Sequence, residues 1–343
     1  MDPLAYSFAI IFAISFSLCA GMIRLGLPIA ARLSIAIPNA RSSHDIPTPQ
    51  SGGLFLVASL LLCGLGFAFV YPDVRIELMV ILSACLVLNL MGWADDRYGL
   101  AIWTRFLTYA GISFAYGFSR EFSFLGPGID SWVSSLLAAL FLLVLINVTN
   151  FMDGIDGMVV VEFVPMLSLV AFLSLLGTVG TCFGFLATAL VGALLGFFLF
   201  NRPKAKIFLG DAGALVVGFL AGVILLELAN NHGFILALLL PLYFFCDAGL
   251  TLLRRIFRGE RFWEAHREHF YQRALDAGQS NWSIIARVAI LNSLLSLIVY
   301  ITLKTPAPNL LLACSIGCAL TSVLLWKFFK PQKWTSKLSK DSN

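Results

Sequence analysis

Five aspartates stand at polar breaks between long apolar runs of this sequence: Asp95, Asp96, Asp153, Asp156 and Asp211. A carboxylate at the end of a membrane span usually has a partner, and for the adjacent Asp95 and Asp96 this could be Mg²⁺ or the neighbouring Arg97. Mg²⁺ prefers oxygen ligands and typically binds through one or two carboxylates together with substrate phosphates. The aspartates therefore indicate phosphoryl transfer, with salt bridges and helix caps as the simpler alternative for each one.

The segment from Asn147 to Gly157 is the most informative break, because Asn150, Asp153 and Asp156 recur there every three residues. If the segment is helical, the three side chains share one face. The glycines between them allow a ligand to approach the backbone closely. Helix capping explains one of these residues but hardly all three, so the pattern predicts a ligand-binding face.

The segment from Asn201 to Gly213 joins basic residues to a glycine-flanked aspartate, Asp211. Its lysines and arginine could meet phosphate, and Phe208 could stack on a base. The basic residues are equally typical of an ordinary cytoplasmic loop. Asp211 and its flanking glycines are the features that favour a site.

Histidines mark the first and last polar loops. His44 precedes a proline- and glycine-rich turn that includes Thr48, and this turn could present backbone N–H groups to an anion. His266 and His269 flank Arg267 at a spacing of one helical turn. Zinc would need further Cys or His ligands that the last loop does not offer. We expect an anion-binding helix there, with a solvated amphipathic linker as the alternative.

The elements that position these residues follow from composition. The 343-residue chain is 59% hydrophobic and 12% charged, which excludes a soluble globule of this length and favours an all-α polytopic membrane bundle. Continuous apolar runs argue against a β-barrel. Apolar windows predict about eleven transmembrane helices, with ten possible, near residues 4–25, 53–71, 76–94, 102–118, 131–149, 158–176, 181–200, 212–229, 234–253, 284–303 and 309–329.

Charge bias predicts the orientation of the bundle. All of the 23 Lys and Arg residues except Arg75, Arg120 and Lys304 fall on one side of the alternating spans. By the positive-inside rule that side is cytoplasmic, so the N-terminus is periplasmic and the C-terminus cytoplasmic. The aspartate-bearing loops then share the cytoplasmic face. We expect one transmembrane domain, residues 1–329, followed by a basic cytoplasmic tail, residues 330–343.

Taken in order from about His44 to Arg273, these segments resemble the polyprenyl-phosphate N-acetylhexosamine-1-phosphate transferases of glycosyltransferase family 4. The specific marks are Pro47-Thr48-Pro49 with Gly52-Gly53, the Asp95-Asp96 pair, the run from Asn150 to Gly157, the segment from Asn201 to Gly213, and the histidine-bearing last loop. His266-Arg267-Glu268-His269 replaces a run of adjacent histidines. This loop is more similar to the O-antigen and common-antigen initiating branch than to the peptidoglycan branch. Gln50, Ser51 and Ala214 depart from the pattern of many relatives.

The resemblance implies transfer of a sugar 1-phosphate from a UDP-sugar to undecaprenyl phosphate, with release of UMP, in a bacterial inner membrane. Mg²⁺ would be the cofactor, with Mn²⁺ able to substitute, and no nucleic acid is expected as a partner. A homodimer, the hexosamine and the surface-glycan pathway are left open. The implied roles are Asp211 and Asn150 for the metal, Asp95 and Asp96 for the lipid phosphate, Asp153, Asp156, Asn201 and Phe208 for the nucleotide, His266, Arg267 and His269 for the diphosphate, and His44 and Thr48 as first-loop anion contacts.

Two rival functions come from other classes of protein. A CDP-alcohol phosphotransferase also uses clustered aspartates in a membrane, but its signature continues from Asp-Gly into Ala-Arg, unlike Asp153-Gly154-Ile155. An ion-coupled transporter would place charges near the bilayer midplane in broken helices. Here the acidic residues sit mostly at span ends, with Glu227 and Asp247 as exceptions.

Overall fold

The protein is an all-α helical bundle, as predicted. The computed structural model describes residues 3–37, 46–126, 130–260, 266–306 and 309–329. His44 and the predicted basic tail, residues 330–343, lie outside the described residues. The helices are α1 (Pro3–Leu33), α2 (Gly52–Val70), α3 (Arg75–Tyr98), α4 (Ile102–Ser119), α5 (Ser131–Met152), α6 (Met158–Leu175), α7 (Thr181–Asn201), α8 (Asp211–His232), α9 (Phe234–Leu239), α10 (Leu242–Phe257), α11 (Phe270–Asp276), α12 (Asn281–Lys304) and α13 (Leu310–Phe329).

Nine helices within the described ranges are long and apolar enough to cross a membrane. They are α1, α2, α3, α5, α6, α7, α8, α12 and α13. The other two predicted spans correspond to α4 and to α9 with α10. The polytopic membrane architecture is therefore confirmed, while the orientation of the bundle stays a prediction.

The predicted span at residues 234–253 is broken. It divides into α9 and α10, and Pro241 lies immediately before α10. Proline lacks the backbone N–H that a continuous helix requires, and its ring clashes with the carbonyl four residues earlier. The helix restarts after the break, where Phe245 N–H donates to the Pro241 carbonyl at 3.1 Å. This restart gives α10 its own course, and α10 carries Asp247.

Helix α8 lies at the centre of the bundle. In its most apolar stretch 94% of the residues are buried, against 22% in α1 and 28% in α13. A helix that is apolar on all sides is stable in this central position, and α8 is rich in Ala, Gly, Val and Leu. Its first residue is Asp211, so the most deeply buried of the nine spans begins at a candidate site residue.

A short antiparallel ribbon joins the first loop to the bundle. Strand β1 (Ile35–Ala36) pairs with β2 (Thr48–Pro49) in the register Ile35 opposite Pro49. The ribbon continues into the segment before α8, because Phe208 N–H donates to the Pro49 carbonyl at 2.7 Å. Two loops that are far apart in sequence are thereby held against each other.

Candidate active site

Most of the predicted site residues converge on one cavity of about 470 Å³. The predicted residues in its lining are Asp96, Asn150, Asp153, Asp156, Asn201, Phe208 and Asp211. The remaining lining residues are Ile35, Ala36, Ile37, Gln50, Gly154, Ile155, Leu209, Gly210, Gln272 and Asn281. Segments that are distant in sequence thus build a single acidic and amide-rich cavity. A concave shape is usual for small-molecule sites, whereas a lining this polar is not.

Asp96 lies between the end of α3 and the start of α8. Its Oδ1 accepts the N–H of Asp211 at 3.2 Å, and its Oδ2 accepts the N–H of Ala212 at 3.3 Å. The first N–H groups of a helix have no partner within the helix and carry partial positive charge, so a carboxylate stabilises them. Gly210 is required beside this contact, because its φ is 70° and a Cβ there would lie 2.5 Å from Asp96 Oδ2.

Asp211 faces the cavity with few compensating donors. Asn150 Nδ2 donates to Asp211 Oδ2 at 3.3 Å, and the nearest guanidinium nitrogen of Arg105 lies 3.9 Å from the same oxygen. Arg105 is a site residue that the sequence reasoning missed. An isolated arginine at the start of an apolar helix carries no motif, and its position beside the aspartates follows from the packing of α4.

Asp95 does not line the cavity. Its Oδ2 forms an ion pair with Arg105 at 2.5 Å, and its Oδ1 accepts the N–H of Leu100 at 2.7 Å. Asp95 therefore fixes Arg105 and the turn after α3, while Asp96 is the member of the pair that reaches the cavity.

The prediction that Asn150, Asp153 and Asp156 share one helical face is wrong. Helix α5 ends at Met152, so Asn150 lies in its last turn and the two aspartates lie in the turn that follows. Asp153, the residue that follows α5, has φ −78° and ψ 52°, outside the helical range, and Gly157, with a φ of 79°, stands just before the start of α6. The three residues still meet at the cavity because the chain turns around it.

Two side chains brace this turn against the segment before α8. Asp156 Oδ2 accepts the N–H groups of Lys204 and Ala205, both at 3.1 Å. Asn201 accepts the N–H of Gly157 at 2.8 Å and donates to the Ile207 carbonyl at 3.0 Å. These bonds hold the backbone next to Phe208, whose ring lines the cavity.

Asp153 has a carboxyl group that is difficult to ionise. Desolvation by its surroundings, followed by repulsion from Asp96 and Asp156, raises the pKa of Asp153 to about 7. Near neutral pH this side chain therefore exchanges a proton readily. A cation in the cavity would favour its ionised form.

In the first loop, the structure places Gln50 rather than Thr48 at the cavity. The Thr48 hydroxyl is buried and donates to the Ile46 carbonyl at 2.9 Å. Gln50 lines the cavity, and its Nε2 donates to Asp96 Oδ1 at 3.1 Å. Sequence reasoning had treated Gln50 as a departure from the family pattern, and the structure gives it a contact with the acidic centre.

The last loop lies beside the cavity. Helix α11 begins only at Phe270, so the predicted helical spacing of His266 and His269 is wrong, although their rings lie 4.9 Å apart. Neither histidine lines the cavity. Burial, with the nearby His269 and Arg255, lowers the pKa of His266 to about 4, so this ring is neutral at pH 7.

Arg267 also lies outside the cavity lining and forms an ion pair with Asp276 at 2.9 Å. Nearby, Glu268 accepts from Arg255 at 3.0 Å and from Arg273 at 3.3 Å. Much of the positive charge in and beside the described part of the last loop is thus paired with nearby carboxylates. The cavity residues contributed after this loop are Gln272 of α11 and Asn281 at the start of α12, neither of which the sequence reasoning identified.

The donor set fits Mg²⁺ shared with a ligand. Among the described residues, no three His, Cys, Asp or Glu side chains come together as a metal cage. Mg²⁺ rarely uses such a cage and is commonly held by one or two carboxylates with substrate phosphates. Asp211 has an oxygen next to Asn150, and this amide can present its own oxygen by rotation about its terminal bond.

Comparisons with known proteins agree with this fold and cavity. Residues 78–229 match the model of glycosyl transferase family 4. The decaprenyl-phosphate N-acetylglucosaminephosphotransferase of Mycobacterium leprae is 27% identical over 292 residues, covering 74% of this chain and 72% of that protein. A probable undecaprenyl-phosphate N-acetylglucosaminyl 1-phosphate transferase of Bacillus subtilis is 23% identical over 270 residues, with 74% of each chain covered.

A phospho-N-acetylmuramoyl-pentapeptide-transferase of Symbiobacterium thermophilum is 30% identical over 216 residues, covering 57% of this chain and 63% of that protein. The helical bundle, the acidic cavity and these relatives together indicate a membrane-embedded transferase. The match to the family model and the names of the relatives support glycosyl transferase family 4 and its polyprenyl-phosphate hexosamine-1-phosphate transferases. The matched region 78–229 contains Asp96, Asn150, Asp153, Asp156, Asn201, Phe208 and Asp211.

Proposed function

We propose that this protein transfers an N-acetylhexosamine 1-phosphate from a UDP-sugar to undecaprenyl phosphate. The products are UMP and undecaprenyl-diphosphate-sugar, and the reaction initiates O-antigen or a related surface glycan. The active site opens on the cytoplasmic face of the bacterial inner membrane. The curated relatives support the polyprenyl phosphate acceptor, since their names describe polyprenyl-phosphate sugar-phosphate transferases.

One observation carries the proposal: acidic and amide side chains from separate loops line a single cavity at the start of α8. A carboxylate-rich cavity is a poor host for two phosphate-bearing substrates on its own, because like charges repel. With Mg²⁺ it becomes a suitable one, since the ion, when bound, neutralises the phosphates of both substrates. Asp211 and Asn150 are the side chains that would hold the ion.

The bond changes are those of a simple displacement at phosphorus. An oxygen of the lipid phosphate forms a bond to the β-phosphorus of the UDP-sugar, and the bond from that phosphorus to the oxygen of UMP breaks. In our proposal Asp96 orients the lipid phosphate and accepts its proton when one is present. Asp95 acts through Arg105, whose guanidinium it holds 3.9 Å from Asp211.

The nucleotide occupies the side of the cavity formed by the turn after α5 and the segment before α8. Phe208 stacks on the uracil, and Asn201 and Asp156 hold the backbone around that ring. Asp153 lies next to the position of the diphosphate. The last loop, with His266, Arg267 and His269, lies beside this end of the cavity, and Gln272 follows it in the cavity lining.

The test uses the purified protein in nanodiscs with Mg²⁺, undecaprenyl phosphate and a panel of labelled UDP-N-acetylhexosamines. We expect release of UMP and a labelled lipid with at least one sugar, and loss of both products with EDTA. A manganese arm tests whether Mn²⁺ substitutes. Absence of product with every sugar, while a characterised relative works in parallel, would contradict the proposal.

A further inference from the structure

Gln272 is the one side chain that α11 contributes to the cavity lining. It lies in the first turn of the helix and is 7% exposed. Its Oε1 accepts the backbone N–H of His269 at 3.2 Å. Because an N–H group must meet an acceptor, this bond fixes which end of the amide is oxygen, and the NH₂ end remains free to donate.

The free end of Gln272 lies against the turn that carries Asp153. A Cβ added at Gly154 would lie 3.2 Å from Gln272 Nε2 and 2.1 Å from the hydroxyl oxygen of Tyr271. Helix α11 and the turn after α5 are therefore packed as closely as a glycine permits. This contact places the amide nitrogen of Gln272 beside the acidic side of the cavity.

Asp247 holds the start of α11 in this position. Its carboxylate is fully buried and accepts from His269 Nδ1 at 3.1 Å, Phe270 N–H at 2.9 Å and Tyr271 N–H at 3.3 Å. The Tyr243 hydroxyl is a fourth donor at 3.2 Å. All four contacts come from donors, so Asp247 ties α10 to the His269 ring and to the first two backbone N–H groups of α11.

Three other amides in the lining already donate to protein oxygens, whereas Asn281, the first residue of α12, has an Oδ1 without a hydrogen-bond partner among the described residues. Gln50 donates to Asp96, Asn150 to Asp211 and Asn201 to the Ile207 carbonyl. Among the residues that the structure describes, Gln272 Nε2 has no such acceptor. A ligand rich in phosphate and hydroxyl oxygens needs donors, and the aspartates supply none when ionised.

We infer that Gln272 is a donor-substrate binding residue whose Nε2 hydrogen-bonds an oxygen of the nucleotide sugar, in its diphosphate or its sugar. Asp247 is the positioning residue that holds it there through the start of α11. The inference rests on the proposed function for the identity of the ligand. It gives the last loop a neutral contact with substrate in place of the histidine contact expected from the sequence.

The experiment compares Gln272→Glu with Gln279→Glu. Glutamate at position 272 keeps the oxygen that accepts the His269 N–H, so the internal bond survives while the donor is lost and a negative charge is added. Gln279 is also 7% exposed but lies outside the cavity lining, and its Oε1 accepts from Arg287 at 2.7 Å. A glutamate there gains an ion pair, which makes it a matched control.

Calorimetric binding of UDP-N-acetylhexosamine and of UDP, with Mg²⁺, gives the primary result. We expect Gln272→Glu to weaken binding of the UDP-sugar about tenfold or more, with KM rising more than kcat falls, and Gln279→Glu to stay within about twofold of wild type. An equal loss for UDP locates the contact on the diphosphate. A loss confined to the UDP-sugar locates it on the sugar.

Gln272→Met removes the donor without adding a charge, and we expect it to weaken binding, though less than Gln272→Glu does. Wild-type affinity in Gln272→Met would overturn the inference, because the donor would then be dispensable, and would leave the proposed function intact. A wild-type protein that binds no nucleotide sugar and forms no product would contradict the proposed function and the inference with it.

Discussion

Helices α3 and α8 carry charged residues at both ends, and these residues are paired differently at the two ends. At one end Glu77 of α3 and Glu227 of α8 both pair with Arg120, at 2.5 Å and 3.2 Å. The same guanidinium lies 5.1 Å from the centre of the Phe183 ring. At the other end Asp96 of α3 and Asp211 of α8 meet at the cavity, with Arg105 at 3.9 Å from Asp211.

The two ends thus distinguish charged residues that stabilise the fold from charged residues that we assign to ligand binding. The cluster around Arg120 satisfies its carboxylates within the protein and ties α3, α8 and the chain after α4 together. The cavity gathers Asp96, Asp153, Asp156 and Asp211, and a guanidinium nitrogen of Arg105 lies 3.9 Å from Asp211. Carboxylates that lie close together repel one another and weaken a fold, and natural proteins retain such conflicts mainly at functional sites.

The largest loss of activity is expected for a substitution at the cavity end of α8. Asp211→Asn removes the carboxylate that we assign to the metal, and we expect turnover to fall by about a thousandfold or more. Glu227→Gln, at the other end of the same helix, is the matched control and should keep turnover within a few fold per folded molecule. Initial rates of UMP release measure both. Equal activity in the two variants would remove the distinction between the ends.

At the Arg120 end of the two helices we expect a substitution to reduce stability and to leave activity nearly unchanged. Arg120→Met leaves Glu77 and Glu227 without their cation, and because these side chains are partly exposed we expect the free energy of unfolding to fall by about 1–2 kcal/mol. Turnover per folded molecule should stay near the wild-type value, since the cluster does not line the cavity. Thermal unfolding in detergent, together with turnover at low temperature, measures both quantities. Unchanged stability would show that the pairing does not hold this end together.

Much of the fold was predictable because each span is a long apolar run, and this signal needs no tertiary information. The breaks between spans also pointed to four aspartates that line the cavity, since a charged residue in such a sequence is conspicuous. Pro241 was visible, but the prediction ran a helix through it. Local spacing misled at Asp153 and Asp156, because α5 ends at Met152 and both aspartates follow it.

Gln50, Arg105 and Gln272 were missed for a different reason. A neutral amide or a single arginine has no distinguishing pattern. Packing between elements that are distant in sequence brings Gln50 and Gln272 to the cavity lining and Arg105 to within 3.9 Å of Asp211. Asp247 shows the same limit, because its four donors come from α10 and from the chain around the start of α11. Such contacts are readable only once the fold is known.

The smallest effect concerns pH and the free energy of unfolding. The pKa of Asp153 is about 7 in the folded protein, above the usual value of about 4 in an unfolded chain. Ionisation is therefore disfavoured by folding, and stability falls as pH rises from about 4 through 7. In Asp153→Asn this contribution is absent, so Tm should fall less between about pH 5 and pH 8 without Mg²⁺. Parallel Tm profiles for the two proteins would contradict the assignment.

In our proposal the carboxylates of the cavity bind a metal ion that is shared with the diphosphate of the substrate. The most direct test is calorimetric binding of UDP to the wild-type protein with Mg²⁺ and with EDTA, repeated for Glu227→Gln and Asp211→Asn. We expect Mg²⁺ to tighten UDP binding strongly in the wild type and in Glu227→Gln, and to have little effect in Asp211→Asn. UDP affinity that is the same with Mg²⁺ and with EDTA in the wild type would contradict the account.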